Sequence, residues 1–192
     1  ATVLEGRTRP THFAGVCQVV LTLMHLTAPR WALFGRKDAQ QLAIIESMVR
    51  DLAVPLEIVP VDIRRESDGL AMSSRNAYLS PEQRHQALAL SRALQAGRDA
   101  AAQVTGTRPD PAAIRQAALA SLEAADGVEI DYVALVAPDS FEDLAGTGLG
   151  LPRSAPAGEN TGEGLPAVGL LAVAARVGTT RLIDNTLIDL RP

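Results

Sequence analysis

The sequence predicts an α/β protein in two parts: a parallel-sheet part over 1–63, then an α+β part over 64–192 with antiparallel strands. Three observations lead there. Residues 10–63 alternate helical and strand patterns, the order that gives parallel pairing through a right-handed crossover. Residues 80–188 instead place two helical patterns first and three strand runs after them. Between the two parts, residues 64–76 hold hydroxyl, guanidinium, amide and carboxylate groups with no apolar period. The boundary is placed near Ile63 to Asp68, and clefts beside such junctions commonly hold ligands.

The first helix is predicted over Pro10 to Met24, with Thr11 as N-cap and Phe13, Val16, Val20 and Leu23 at helical spacing. Pro29 ends it. Trp31 to Phe34 is a short apolar run before Gly35 and reads as a buried strand. Asp38 then caps a second helix, with Gln41 at capping-box spacing and Leu42, Ile45, Val49 and Leu52 on its apolar face. Pro55 closes that helix, and Leu56 to Ile63 is the next strand. Two strands make an incomplete sheet, so further strands upstream of Ala1 are expected.

In the second part, Ser80-Pro81-Glu82-Gln83 is a helix start with Ser as cap, Pro at the first position and Gln at the third. Leu88, Leu90, Ala93 and Leu94 carry the helix to Ala102. Asp110-Pro111 starts another, with Ile114, Ala117, Ala118 and Leu122 apolar and Gly127 after it. Val128 to Val136 alternates at Val128, Ile130 and Tyr132. Val168 to Val177 and Thr180 to Ile188 are strands joined near Gly178. The Gly/Pro-rich stretch 146–164 reads as a mobile surface loop.

Composition excludes several classes. Hydrophobic residues are 47% of the chain and charged residues 21%, as in soluble globular proteins. A net charge of −4 argues against general nucleic-acid binding. No run reaches the roughly 18 apolar residues of a membrane span, and no signal-peptide layout is present. The one cysteine, Cys17, lies in an apolar run and reads as a buried small hydrophobe, consistent with a reducing cytoplasm.

Three clusters suit an anion. Arg7-Thr8-Arg9-Pro10-Thr11-His12 stands at the mouth of the first helix, where unpaired N–H groups add to side-chain charge; a solvated basic turn is the alternative. Gly35-Arg36-Lys37-Asp38-Ala39-Gln40-Gln41 follows a strand's C-terminal end, the ligand edge of open parallel sheets. Gly35 lets backbone approach a ligand and Lys37 reaches phosphate. Asp38 and Gln41 bond substrate, or cap the helix, or do both. The spacing is not that of a Walker loop. The third cluster is Met72-Ser73-Ser74-Arg75-Asn76, entered from Arg64-Arg65-Glu66-Ser67-Asp68-Gly69-Leu70. Its hydroxyls and guanidinium match phosphate oxygens. A serine triad is not supported: the nucleophile elbow is missing, and His25 and His85 read as structural or solvated. No metal site built from protein ligands is expected, because no paired His or Cys spacing occurs.

Together the clusters resemble pantothenate synthetases. The matching stretches are Leu4-Glu5-Gly6, Arg9-Pro10-x-His12-Phe13-x-Gly15-Val16, Phe34-Gly35-x-Lys37-Asp38-x-Gln40-Gln41 and Arg65-Glu66-x-Asp68-Gly69-Leu70-Ala71-Met72-Ser73-Ser74-Arg75-Asn76-x-Tyr78-Leu79-Ser80. A final match runs from Ala174 through Arg181-Leu182-Ile183-Asp184-Asn185. The resemblance implies a Rossmann-like nucleotidyl-transferase domain, here partial, followed by the smaller α+β domain. It implies ATP-dependent condensation of pantoate with β-alanine through a pantoyl adenylate, with Mg2+ accompanying the triphosphate, in a cytoplasmic homodimer.

The resemblance also implies site roles. Lys37, Ser73, Ser74 and Arg75 would be catalytic, holding phosphates and stabilising charge on phosphorus. ATP would be bound by Phe34, Gly35, Lys37, Asp38, Met72, Ser73, Ser74 and Arg75. Pantoate would be bound by Gln41, Arg9 and His12. Arg64 would add charge near adenine. The family's His-x-Gly-His motif and its Asn/Gln pantoate pocket do not occur in this sequence, which aligns with about the last two-thirds of a family member. An incomplete enzyme is therefore expected. The alternatives are a non-catalytic nucleotide-binding or dimerisation remnant, and a related nucleotidyl transferase acting on another substrate.

Overall fold

A computed structural model describes residues 3–146 and 165–192. Apart from Gly146, the stretch read as a mobile loop lies outside the described residues. The chain divides into two compact units, Ala1–Ile63 and Arg64–Pro192. No helix among the described residues is long and apolar enough to cross a membrane.

The first unit contains α1 (Glu5–Thr8), α2 (His12–Thr27), β1 (Trp31–Gly35), a 3-10 turn (Arg36–Asp38), α3 (Ala39–Asp51) and β2 (Glu57–Val61). β1 and β2 pair in parallel, from Trp31 opposite Glu57 to Gly35 opposite Val61, as the element order predicts. Successive strand residues point to opposite faces. Ala32, Phe34 and Ile58 pack against Met24, Ile45 and Val49 of the helices. Trp31 and Leu33 take the other face and are 52% and 66% exposed. The expected buried strand is thus covered on one face only. The helix faces are narrower than expected for the same reason: Leu23 and Leu52 lie beyond the packed stripe, 54% and 57% exposed. The single turn α1 was not expected from the sequence.

The second unit contains a 3-10 turn (Ser74–Tyr78), α4 (Pro81–Ala102), α5 (Pro111–Glu123), β3 (Val128–Val136), β4 (Val168–Val177) and β5 (Thr180–Asp189). The strands form an antiparallel sheet in the order β3-β4-β5, the expected organisation. One core joins Leu90, Leu94, Ile114 and Leu122 of the helices to Val133, Leu135, Leu171, Val173 and Leu190. Each such side chain contributes about 1.5–3 kcal/mol when fully buried. The expected alternation in β3 stops at a bulge between Ile130 and Tyr132, after which Tyr132 through Val136 are all buried. Gly178, at φ 57°, opens the two-residue β4–β5 loop, where a left-handed residue matches the strand twist.

Helix starts follow one geometric rule. Ser73, Ser80 and Asp110 are extended at the cap, and each side chain accepts a backbone N–H of its helix. At Ser80 the full capping box forms, with Gln83 Oε1 accepting from the Ser80 N–H at 3.0 Å. Thr11 (φ −98°, ψ −6°) and Asp38 (φ −93°, ψ 60°) are not extended, and neither side chain caps its helix. The expected caps fail there because a tight turn leads directly into each helix. His12 N–H donates to Arg9 O at 3.0 Å before α2, and the 3-10 turn Arg36–Asp38 precedes α3.

Candidate functional site

In the first unit the polar residues collect around the C-terminal end of β1. Phe34 and Gly35 end the strand, opposite Pro60 and Val61. Gly35 has φ −72°, open to any residue, so its significance is space. A Cβ there would meet nothing within 4 Å. Lys37, half-buried, and Asp38, exposed, follow in the 3-10 turn. Gln41 is half-buried in the first turn of α3. Because Asp38 caps nothing, its carboxylate is not consumed by the helix start.

Gln40, beside Gln41, is the residue buried there. Its Nε2 donates to Val3 O at 2.9 Å, tying the segment before α1 to the start of α3. Its Oε1 has no partner. Sequence reasoning gave Gln40 no role, because adjacency alone does not show which of two glutamines faces inward. Arg9 ends α1 and is exposed. His12 opens α2, with its ring centroid 5.1 Å from that of buried Phe13.

In the second unit the run from Arg65 to Asn76 folds back on itself. Arg65 and Ala71 form an antiparallel bridge, Glu66 N–H donates to Leu70 O at 2.8 Å, and Met72 N–H donates to Arg64 O at 2.8 Å. Gly69, at φ 93°, turns the chain between them. Met72 is 50% exposed. Ser73 is half-buried, with its Oγ accepting from Arg75 N–H at 3.2 Å. Ser74 and Arg75 face solvent. Arg75 Nη1 also donates to Arg181 O of β5 at 3.3 Å.

Charged groups hold this turn from behind. Arg65 makes a forked contact with buried Asp184, at 2.7 and 3.1 Å, and donates to Gly69 O at 3.1 Å. Arg84 of α4 donates to Glu66 at 2.5 Å and to Asp68 at 2.8 Å. Asn76 Nδ2 donates to Glu66 Oε1 at 2.6 Å and to Ala71 O at 3.1 Å. The Asn76 bond, then Arg84, hold the Glu66 carboxyl below the ordinary carboxylate range. The Leu70 N–H, then Arg84, do the same for Asp68. Glu66 and Asp68 in turn push the Arg84 guanidinium up. Sequence reasoning missed Arg84 entirely. Its partners stand 16 and 18 residues away, and no local spacing announces the contact.

The geometry gives two sets of half-buried and exposed polar groups of the kinds that bind phosphate. Lys37, Asp38 and Gln41 lie in one unit, and Ser73, Ser74 and Arg75 in the other. Comparison with known proteins bears on the family. The family profile for pantoate-beta-alanine ligase matches residues 1–187. "Pantothenate synthetase 4" of Frankia alni is 51% identical over 183 residues, covering 95% of this chain and 52% of that protein. The pantothenate synthetase of Anaeromyxobacter dehalogenans is 52% identical, covering 95% and 55%. Among solved structures, the pantothenate synthetase of Thermus thermophilus matches with a TM-score of 0.82 at 40% identity, covering 100% of this chain and 60% of that one. A Francisella tularensis pantoate-beta-alanine ligase, complexed with beta-gamma ATP and beta-alanine, matches with a TM-score of 0.60 at 25% identity, covering 97% and 54%. The chain spans about half the length of the curated relatives it matches.

Proposed function

The chain belongs to the pantoate-beta-alanine ligase family, and from that membership we propose that it serves the ATP-dependent condensation of pantoate with β-alanine. The pantoate carboxylate attacks the α-phosphorus of ATP, the bond to the β-phosphate oxygen breaks, and pyrophosphate leaves. The β-alanine amine then attacks the activated carbonyl, loses a proton and expels AMP. Both steps depend on positioning and charge stabilisation more than on a protein nucleophile.

The observation that carries this reading is the Ser73–Arg75 turn. Two hydroxyl groups and a guanidinium sit on a short 3-10 turn held from behind by charged groups, so the donors need little reorganisation as charge develops. In this reading Ser73, Ser74 and Arg75, with Met72 backbone, hold the β- and γ-phosphates and the departing pyrophosphate. Lys37 and Arg75 stabilise charge on the α-phosphorus. Phe34 and Gly35 offer backbone to the nucleotide, on the open side of Gly35. Gln41, Arg9 and His12 hold pantoate.

Mg2+ accompanying the triphosphate would offset part of its charge. It usually needs only one or two protein carboxylates beside phosphate and water, and the uncapped Asp38 carboxylate fits that need. Among the described residues no group of three or more His, Cys, Asp and Glu is placed to hold a metal ion. A homodimer and a cytoplasmic location belong to the same proposal. Cys17, expected to be buried, is only half-buried against the core of Met24, Ile45 and Val49, and burial pushes its thiol up.

The test is pantoate-dependent exchange of labelled pyrophosphate into ATP. Lys37→Ala is expected to slow it by about 10²–10³, and an unchanged rate removes Lys37 from the site. No exchange with nucleotide binding retained would favour a non-catalytic binding module. Exchange supported by nicotinate mononucleotide instead of pantoate would favour a related nucleotidyl transferase.

A further inference from the structure

We propose that Arg84 is a positioning residue for the Ser73-Ser74-Arg75 turn, acting through the Glu66 carboxylate on Asn76. The chemical part of this inference rests on the reading of that turn as a polyphosphate site. The geometric part does not.

The two oxygens of Glu66 face different elements. One accepts from Arg84 of α4 at 2.5 Å, and the other accepts from Asn76 of the 3-10 turn at 2.6 Å. Arg84 is itself fixed by a second carboxylate, Asp68, at 2.8 Å. The helix therefore reaches the turn through one rigid, charge-assisted link. Asn76 is a strategic end for that link. Its backbone N–H donates to Ser73 O at 3.0 Å, and its backbone oxygen accepts from Leu79 N–H at 3.2 Å. It thus closes both the entry and the exit of the turn that carries Ser74 and Arg75.

The orientation of the Asn76 amide follows from its partners. Turned over, its carbonyl would face the Glu66 carboxylate and the Ala71 carbonyl, both acceptors. Its Oδ1 is buried without a partner, so the amide is held through its NH2 alone. Breaking the Glu66 bond leaves only the weaker bond to Ala71 O. Arg65 is no substitute. Its contacts with Asp184 and Gly69 O anchor the first arm of the fold-back, whereas the serines stand on the second arm.

Hydrogen exchange of backbone amides and calorimetric titration with MgATP, both on the full chain, test the proposal. Arg84→Gln is expected to speed exchange at Asn76 and Leu79 by about tenfold and to weaken MgATP binding by a similar factor. Arg84→Lys should recover part of both, as a point charge without the fork. Asn76→Ala removes the last link while leaving Arg84 paired, and should reproduce the fast exchange. Amides of β4, such as Leu171 and Val173, should keep their rates. Wild-type rates at the turn in Arg84→Gln would overturn the proposal, whatever Asn76→Ala does. So would equal acceleration throughout β4, which would make Arg84 merely structural. If wild-type protein binds no MgATP while the turn amides respond as expected, the polyphosphate reading falls and the positioning link stands.

Discussion

The two units solve the problem of presenting polar groups in different ways. The first unit stands on a small core around Met24, Ile45 and Val49, and it exposes Val19, Leu23, Leu26, Trp31 and Leu33. Its polar residues sit on a short turn after a strand, near the Gln40 tie to Val3 O and an exposed Arg36–Asp62 pair. The second unit has one continuous core from Leu70 to Leu190, and its Ser-Ser-Arg turn is braced by Arg65, Arg84 and their carboxylates. Parallel sheets are usually covered on both faces, and among the described residues the β1–β2 pair is covered on one face. An antiparallel sheet completes its core with helices on a single face. The charged bracing of the second unit thus rests on buried anchor points such as Asp184.

The largest test of this contrast is a pair of ion-pair deletions. Arg65→Met strands the buried Asp184 carboxylate and is expected to cost about 2–3 kcal/mol. Arg36→Met removes the pair with Asp62, whose side chain is 96% exposed, and is expected to cost about 0–1 kcal/mol. Urea midpoints of the two variants measure the difference, and equal losses would break the contrast.

A second pair should differ in sign. Gly97 lies in α4 where a Cβ would come within 2.4 Å of Leu171 Cδ2, inside the core. Gly97→Ala is expected to destabilise by about 1–2 kcal/mol, overpacking outweighing helix propensity. Gly15 lies in α2 with nothing within 4 Å of its Cβ position. Gly15→Ala is expected to stabilise by about 0.5–1 kcal/mol. Thermal melts read both, and a stabilising Gly97→Ala would show the second core to be looser than its burial implies.

The smallest effect is electrostatic. Glu66 and Asp68 are held below the ordinary carboxylate range, and the Arg191 hydrogen bond lowers Asp189 to about 2. The unfolded chain binds more protons than the folded one in this acid range, so stability falls as pH falls. The contribution is fully present above the ordinary carboxylate values. It is lost as pH drops through the folded ones, about 2 for Asp189. These groups are open to solvent, so added salt should shrink the slope. Urea midpoints between pH 6 and pH 2 at low and high salt check this. A midpoint that rose on acidification would contradict the bracing by Glu66 and Asp68.

The legible parts of the fold were the locally encoded ones. Ser80 to Gln83 announced a capping box because both partners lie within three residues. The parallel pair and the antiparallel sheet followed from element order. The candidate site was legible as residue types, since Lys37, Ser73, Ser74 and Arg75 stand in motifs. Its supports were not. Arg65 and Asp184 are 119 residues apart, and nothing local at Arg84 points to Glu66. Thr11 and Asp38 show the same limit at short range. Both are good cap residues, but the preceding backbone sets their φ and ψ, and a side chain on a non-extended residue does not reach the first turn.

By itself the sequence determined the two-part α/β organisation, the strand pairing types and the polar clusters, because helical and strand periods and i to i+3 contacts are properties of neighbouring residues. Only the tertiary structure decided which face of β1 meets water, which of Gln40 and Gln41 is buried, and which guanidinium braces the Ser-Ser-Arg turn. Those outcomes depend on residues distant in the chain meeting in space, where burial removes water as a competitor for each charge and hydrogen bond.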